Sequence, residues 1–241
     1  MNTVIQEEPS SCINPETLGL LAAIGIQKGI PFEPDARMKK ILIEAATVGN
    51  ATVRALSFAT RDKSMYYYPD RQWKITFNGG YKFTRENGES WIDGRAFFHY
   101  VATGNTPAME MKIVGGGTQY LLAERDSQGR YLDGGKTYQI TLPPNVPVKD
   151  FWSFMVYSGQ HRSMLQTDQP FPGIDSLKKD LQKNDDGSFT VYFGPKAPAG
   201  KESNWVQTVP GKSFNFLYRM YGPLEAWFDK SWKLGDFELI E

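Results

Sequence analysis

The chain has 241 residues, with 27 Lys plus Arg against 27 Asp plus Glu and a formal net charge of zero. That length can bury a substantial core. The even charge balance argues against a nucleic-acid partner, which calls for a clustered basic excess, and gives no electrostatic reason to sit on an anionic membrane. The 12 Tyr, 15 Phe and 6 Trp, with 23 Gly and 15 Pro, suit a β-rich core joined by many turns.

The first 60 residues read as helical. Asn14 is an N-cap, Pro15 suits the first helical position, and Glu16 favours the positive end of the helix dipole. The apolar run Leu18, Leu20, Leu21, Ile24 follows, and Gly29 is the expected stop. A second helix starts near Pro34-Asp35. Its apolar positions Met38, Ile41, Leu42, Ala45, Val48, Thr52 and Leu56 recur at three and four residues, and it is expected to reach about Phe58. Gly49, near its middle, predicts a close helix contact or a bend.

Beyond residue 60 the pattern changes to strands and turns. Expected strands are Tyr66–Tyr68, Lys74–Phe77, Gln119–Glu124, Lys136–Leu142, Phe151–Tyr157, Ser188–Phe193, Trp205–Thr208, Phe214–Tyr221 and Asp236–Ile240. One more helix is expected from Asp93, as cap, to Val101. Short strands at this spacing predict a mainly β fold, an antiparallel jelly roll or β-sandwich over residues 61–241, after a helical amino-terminal subdomain at residues 1–60.

The single Cys12 has no partner for an internal disulfide. No apolar stretch reaches the ~18–20 residues of a membrane helix. The amino terminus lacks the basic and apolar regions of a signal peptide, so the expectation is a soluble chain in the cytoplasm. With only His99 and His161, no metal or other cofactor is expected.

Three polar clusters are candidates for a site. In the first, His161 is a candidate proton shuttle, with a plain exposed loop residue as the alternative, and Arg162 can fork two hydrogen bonds to a carboxylate, either Asp168 or an acidic ligand. Gln169 completes that cluster before Pro170-Phe-Pro172 stiffens the backbone. The alternative is that Arg162 and Asp168 simply pin a long loop. The second cluster, Glu202, Trp205 and Gln207, joins an aromatic face to amides and charge, as sugar sites do; ordinary sandwich loops do the same. The third places Glu225 and Asp229 at helical i,i+4 spacing, where paired carboxylates serve glycoside cleavage, although Trp227 and Trp232 more simply anchor the segment on the sandwich. Gly115-Gly116-Gly117 lacks the Lys-Ser/Thr of a phosphate loop and reads as a turn.

Three stretches carry a family resemblance: Arg162-Ser-Met-Leu-Gln-Thr-Asp-Gln-Pro-Phe-Pro172, Tyr192-Phe-Gly-Pro-Lys-Ala-Pro-Ala-Gly-Lys-Glu-Ser-Asn-Trp-Val-Gln-Thr208 and Arg219-Met-Tyr-Gly-Pro-Leu-Glu-Ala-Trp-Phe-Asp-Lys-Ser-Trp232. Gly19–Gly25, Pro34–Lys40, Asp133–Tyr138 and Leu142–Pro147 extend it, from about Val4 onward. The chain resembles the DUF1214 domain of bacterial and viral proteins, which usually follows a DUF1254 domain absent from this sequence. The resemblance implies a helical subdomain followed by a jelly roll, and no chemistry. The surface that the absent domain would cover predicts a homo-oligomer. The functional expectation is a binding module for a small polar ligand, a carbohydrate or an organic acid. Two alternatives stand beside it. One is a hydrolase or lyase on a similar substrate, which needs His161, Asp168 or Glu202 to converge on one pocket. The other is a structural, self-assembling domain.

Overall fold

The chain divides into two units, Met1–Arg54 and Ala55–Glu241, and the computed structural model describes residues 1–102 and 104–240. In the first unit, α1 (Asn2–Glu7) precedes α2 (Pro15–Ala23), whose start is fixed locally: Asn14 Oδ1 accepts the N–H groups of Glu16 at 2.9 Å and Thr17 at 3.4 Å. Gln6 ties α1 to the segment after α2, donating to the Gln27 carbonyl at 2.8 Å and accepting from Gly29 N–H at 2.8 Å. The long helix α3 (Ala36–Phe58) starts where Asp35 Oδ1 accepts Met38 N–H at 2.7 Å. The unit boundary falls within this helix. Its only buried residue is Ser57, in the last turn. A methyl group at Gly49 would meet nothing within 4 Å among the described residues, which corrects the expected helix contact there.

The second unit runs, in chain order, through β1 (Lys74–Ile75), α4 (Ile92–Val101), α5 (Pro107–Glu110), β2 (Thr118–Ala123), β3 (Tyr138–Leu142), β4 (Val148–Ser158), β5 (Gly173–Asp175), β6 (Phe189–Gly194), β7 (Trp205–Gln207), β8 (Phe214–Pro223), α6 (Glu225–Phe228) and β9 (Glu238–Leu239). These strands make two sheets, a five-stranded one in the order β1-β2-β8-β4-β5 and a four-stranded one in the order β7-β6-β3-β9. The protein is thus β-rich with a helical amino-terminal part. Pairing is antiparallel except between β6 and β7, which run parallel, a correction to the all-antiparallel expectation. The connection over residues 195–204 is long enough to carry the chain back and re-enter in the same direction.

Alternation along β8 decides what each face sees, because successive strand side chains point to opposite sides. Phe214, Phe216, Tyr218 and Met220 join the main core cluster with Trp152, Phe154 and Val156 of β4 and Val191 and Phe193 of β6. The rings are closely packed: Phe216 stacks on Phe237 at 4.1 Å, and Phe193 meets Phe216 edge-on at 4.3 Å. The intervening residues of β8, Asn215, Leu217 and Arg219, line a cavity on the outer face of the five-stranded sheet. Part of that face is covered by a second apolar cluster, in which Phe97 and Phe98 of α4 join Met65, Phe83, Trp91 and Leu122.

Two local expectations are also corrected. Tyr66–Tyr68 is not a strand but makes a single bridge, Tyr66 to Lys74; Tyr68 turns into the main core and Tyr67 packs against it. The helix α4 begins at Ile92 with Trp91 at the cap position, which puts Asp93 in the first turn rather than at the cap. Trp227 and Trp232 are buried in the main cluster, as the anchoring reading expects.

Candidate functional site

The first two sequence clusters meet each other rather than a pocket. Gln207 Nε2 donates to Asp168 Oδ2 at 2.9 Å, and Gln207 Oε1 accepts Asp168 N–H at 2.8 Å. Gln169 mirrors this: its Oε1 accepts Gln207 N–H at 2.7 Å and its Nε2 donates to the Trp205 carbonyl at 3.3 Å. The four side-chain bonds lay the 167–170 loop along β7, an edge strand, and so blunt its open edge. Trp205 spends its indole N–H on the Gly194 carbonyl at 3.0 Å. Glu202 accepts Gly200 N–H at 3.1 Å. His161 is exposed, and its backbone N–H reaches Ser158 Oγ at 3.2 Å. Among the described residues, no side-chain hydrogen bond or ion pair joins His161, Asp168 and Glu202.

Arg162 points elsewhere. Its Nη1 donates to the Tyr100 carbonyl at 2.9 Å, and its guanidinium lies 4.2 Å from the Tyr100 ring centre. The pairing with Asp168 is not made. Its backbone is left-handed, with φ of 62°, a conformation that non-glycine residues adopt only when their surroundings enforce it. This strained position sets Arg162 at the border of a cavity of about 280 Å³ on the outer face of the five-stranded sheet.

That cavity gathers polar groups from four separate segments. Arg219 of β8 lines it and donates from Nη2 to Tyr157 Oη of β4 at 2.8 Å. Asn215, 5% exposed, and Thr76, 7% exposed, also line it. Among the described residues no hydrogen bond takes the Asn215 amide, the Thr76 hydroxyl or the Tyr120 hydroxyl, and Arg219 Nε is buried without a partner. No described carboxylate lies within ion-pair distance of Arg162 or Arg219. Burial works to lower the Arg219 pKa, but the facing phenols Tyr157, Tyr221 and Tyr120 hold it above its ordinary value, so the cation persists. Buried polar groups are nearly always satisfied, and Arg219 Nε is an exception on this cavity.

A larger open cleft of about 880 Å³ adjoins this cavity and shares Thr76, Phe77, Met109 and Tyr120 with it. Two of its aromatic rings are already covered. Tyr67 is stacked on Trp227 at 4.8 Å, with Lys230 Nζ 4.7 Å from its ring centre, and Arg85 covers Trp91 at 4.4 Å. Tyr67 hydrogen-bonds the Trp227 carbonyl at 2.7 Å, and burial pushes its pKa up to about 12. Asp229 is also committed locally: its Oδ1 accepts Ser231 N–H at 2.7 Å, and Ser231 lowers its pKa. The Gly115–Gly117 turn closes on β8, with Gly115 N–H on the Pro223 carbonyl at 2.6 Å and Gly222 N–H on the Gly117 carbonyl at 2.9 Å. No group of three or more His, Cys, Asp or Glu able to hold a metal is found among the described residues. None of the described helices is long and apolar enough to cross a membrane.

The sequence clusters missed Arg219, Asn215, Tyr157 and Thr76. A usable signal was an arginine and an asparagine at alternate positions of an otherwise apolar strand, which sets both on one face.

Two sheets, with a polar-lipped cavity on the outer face of the larger, define a β-sheet-rich protein. Residues 117–225 match the family model described as protein of unknown function (DUF1214), and this part of the chain is a DUF1214 domain. All of the chain aligns with 54% of the crystal structure of the VPA0106 protein from Vibrio parahaemolyticus, at 20% identity and a TM-score of 0.47. It also aligns with 52% of the crystal structure of an uncharacterized protein from Burkholderia cenocepacia, at 15% identity and a TM-score of 0.39. The chain therefore spans about half the length of each of these relatives. Comparison with curated proteins gives no match.

Proposed function

We propose that the β unit is a binding module for a small organic acid, seated in the cavity on the outer face of the five-stranded sheet. The observation that carries this reading is the convergence of unspent donors there. Arg162 and Arg219 have no carboxylate partner among the described residues, and the buried Asn215 amide has no hydrogen bond. A carboxylate supplies the acceptors such donors lack, and guanidinium–carboxylate pairs are strong and directional. A carbohydrate is the less favoured ligand, because the Tyr67 and Trp91 rings in the neighbouring cleft are covered by Lys230, Trp227 and Arg85. Turnover is less favoured than binding, because His161, Asp168 and Glu202 are bonded in separate places. The same reading takes the two sheets as a jelly-roll scaffold. Its support is that the chain alternates between sheets, with β2, β4 and β8 in one and β3, β6 and β9 in the other.

The test is thermal denaturation with monocarboxylates, hydroxy acids and neutral sugars. A ligand at 100 times its Kd should add about 2.7 kcal/mol of stability. Acids should raise Tm in the native chain and leave Arg219→Met unmoved. A shift with neutral sugars alone, or an undiminished acid shift in Arg219→Met, refutes the reading.

Self-association is a second reading, favoured by the exposed Ile41, Ile43 and Val48 of α3. A helix with so little buried surface draws little stability from its own unit, and a second copy would cover it. Light scattering at micromolar concentration giving the mass of one chain, 27.3 kDa, would eliminate it.

A further inference from the structure

We infer that the acid held in this cavity is a monoanionic amphiphile: one carboxylate on an apolar body with the bulk of a seven- or eight-carbon chain. This deepens the acid-binding reading and rests on it. The charged groups of the cavity, Arg219 and Arg162, come from β8 and the loop after β4, beside Asn215 and Tyr157; Thr76 and Tyr120 add hydroxyls at the border with the larger cleft. The remaining lining is largely apolar. Phe98, Val101 and Ala102 come from the end of α4, and Leu122 and Leu217 from the sheet floor, where those two are paired across β2 and β8.

A second charged or hydroxylated end would lie against those side chains, and burying a polar group without a partner is costly. Dicarboxylates and sugar acids are thereby disfavoured, whereas an alkyl or aryl body gains from burial. Size follows from the cavity. At about 30 Å³ for a water-sized group, its 280 Å³ accommodate about nine non-hydrogen atoms, a carboxylate with some six further carbons. Phe77, Met109 and Tyr120 line the border between this cavity and the larger cleft.

Isothermal titration of the full chain with straight-chain carboxylates from butyrate to decanoate, beside glutarate and gluconate, tests this. Each added methylene should tighten binding about fourfold, with the gain levelling after seven or eight carbons and with glutarate and gluconate weaker than heptanoate. Ala102→Phe, which narrows the apolar end, should weaken octanoate at least tenfold more than it weakens butyrate. Leu217→Asn, which keeps the volume but not the apolar floor, provides the same comparison if the larger side chain impairs folding. A flat chain-length series, or glutarate or gluconate binding as tightly as heptanoate, overturns the amphiphile while leaving an acid site. Absence of binding by every carboxylate removes the acid-binding reading itself, and the inference with it.

Discussion

Arg219 and Tyr157 are joined on the outer sheet face by a 2.8 Å hydrogen bond, although their backbones are not opposite one another. In the ladder Arg219 faces Ser153 while Tyr157 faces Asn215. The offset is four residues, about 13 Å along a strand, so both long side chains must run toward each other along the sheet. The contact turns two outward-facing residues into one wall of the cavity. Because the phenol oxygen accepts from the guanidinium, the phenol proton is left to point elsewhere.

Tyr157→Phe removes the acceptor and leaves the ring. We expect a stability loss of about 1–2 kcal/mol, the range for a hydrogen bond to a charged group that is only half-buried. Acid binding should weaken because Arg219 loses its brace. Unchanged urea midpoints together with unchanged acid affinity would show that the contact matters for neither.

Lys74 and Glu124 form a buried ion pair at 2.6 Å, with side-chain exposures of 0% and 6%, and Lys74 also donates to the Ser57 carbonyl. Burial drives the Lys74 pKa down and the Glu124 pKa up, each opposed by the partner's charge. Glu124→Leu strands a buried ammonium and should cost about 3–5 kcal/mol. The double variant Lys74→Met/Glu124→Leu should recover most of that loss. Urea denaturation of these two, the single variant Lys74→Met and the native chain gives the coupling directly, and simple additivity would contradict a coupled pair.

Asp236 is half-buried and accepts Gln72 N–H at 2.9 Å. Burial raises its pKa, and the Gln72 bond and the charge of Arg71 only partly offset that. A carboxyl whose folded-state pKa is raised favours folding in its protonated form. Its contribution is therefore full below the unfolded value, near 3.9, and is lost as pH rises through the folded value. Asp236→Asn keeps an acceptor without the charge. It should be more stable than the native chain at pH 7, with the difference closing as the pH falls into the carboxylate range. Thermal melts across that range that stay parallel would rule this out.

Gln169→Ala removes two of the four side-chain bonds that hold the 167–170 loop on β7. The expected cost is about 1–2 kcal/mol, with faster exchange of the Gln207 amide proton and no change in acid affinity. Loss of acid binding in this variant would return the site to the loop clusters.

What could be read from the sequence was local. The cap at Asn14, the amphipathic run ending at Phe58 and the strand at Phe214–Tyr221 each depend on residues within a few positions, and each recurs in the structure within about two residues. Partners were not legible. Gln119–Glu124 and Lys136–Leu142 look like neighbours along the chain, yet β2 pairs with β8 and β3 with β6. Arg162 and Asp168 are six positions apart, yet the left-handed backbone at Arg162 helps send its side chain to Tyr100 while Asp168 locks onto Gln207.

The sequence by itself determined a β-rich domain of the DUF1214 kind, preceded by helices, because caps, periodicity and motif wording are properties of short stretches. Only the tertiary structure decided which polar side chains meet. Thr76, Tyr157, Arg162, Asn215 and Arg219 converge on one cavity because strand pairing and side-chain alternation bring together positions up to 143 residues apart, from Thr76 to Arg219. No local rule encodes that convergence, since it depends on long-range burial of the opposite faces of the same strands.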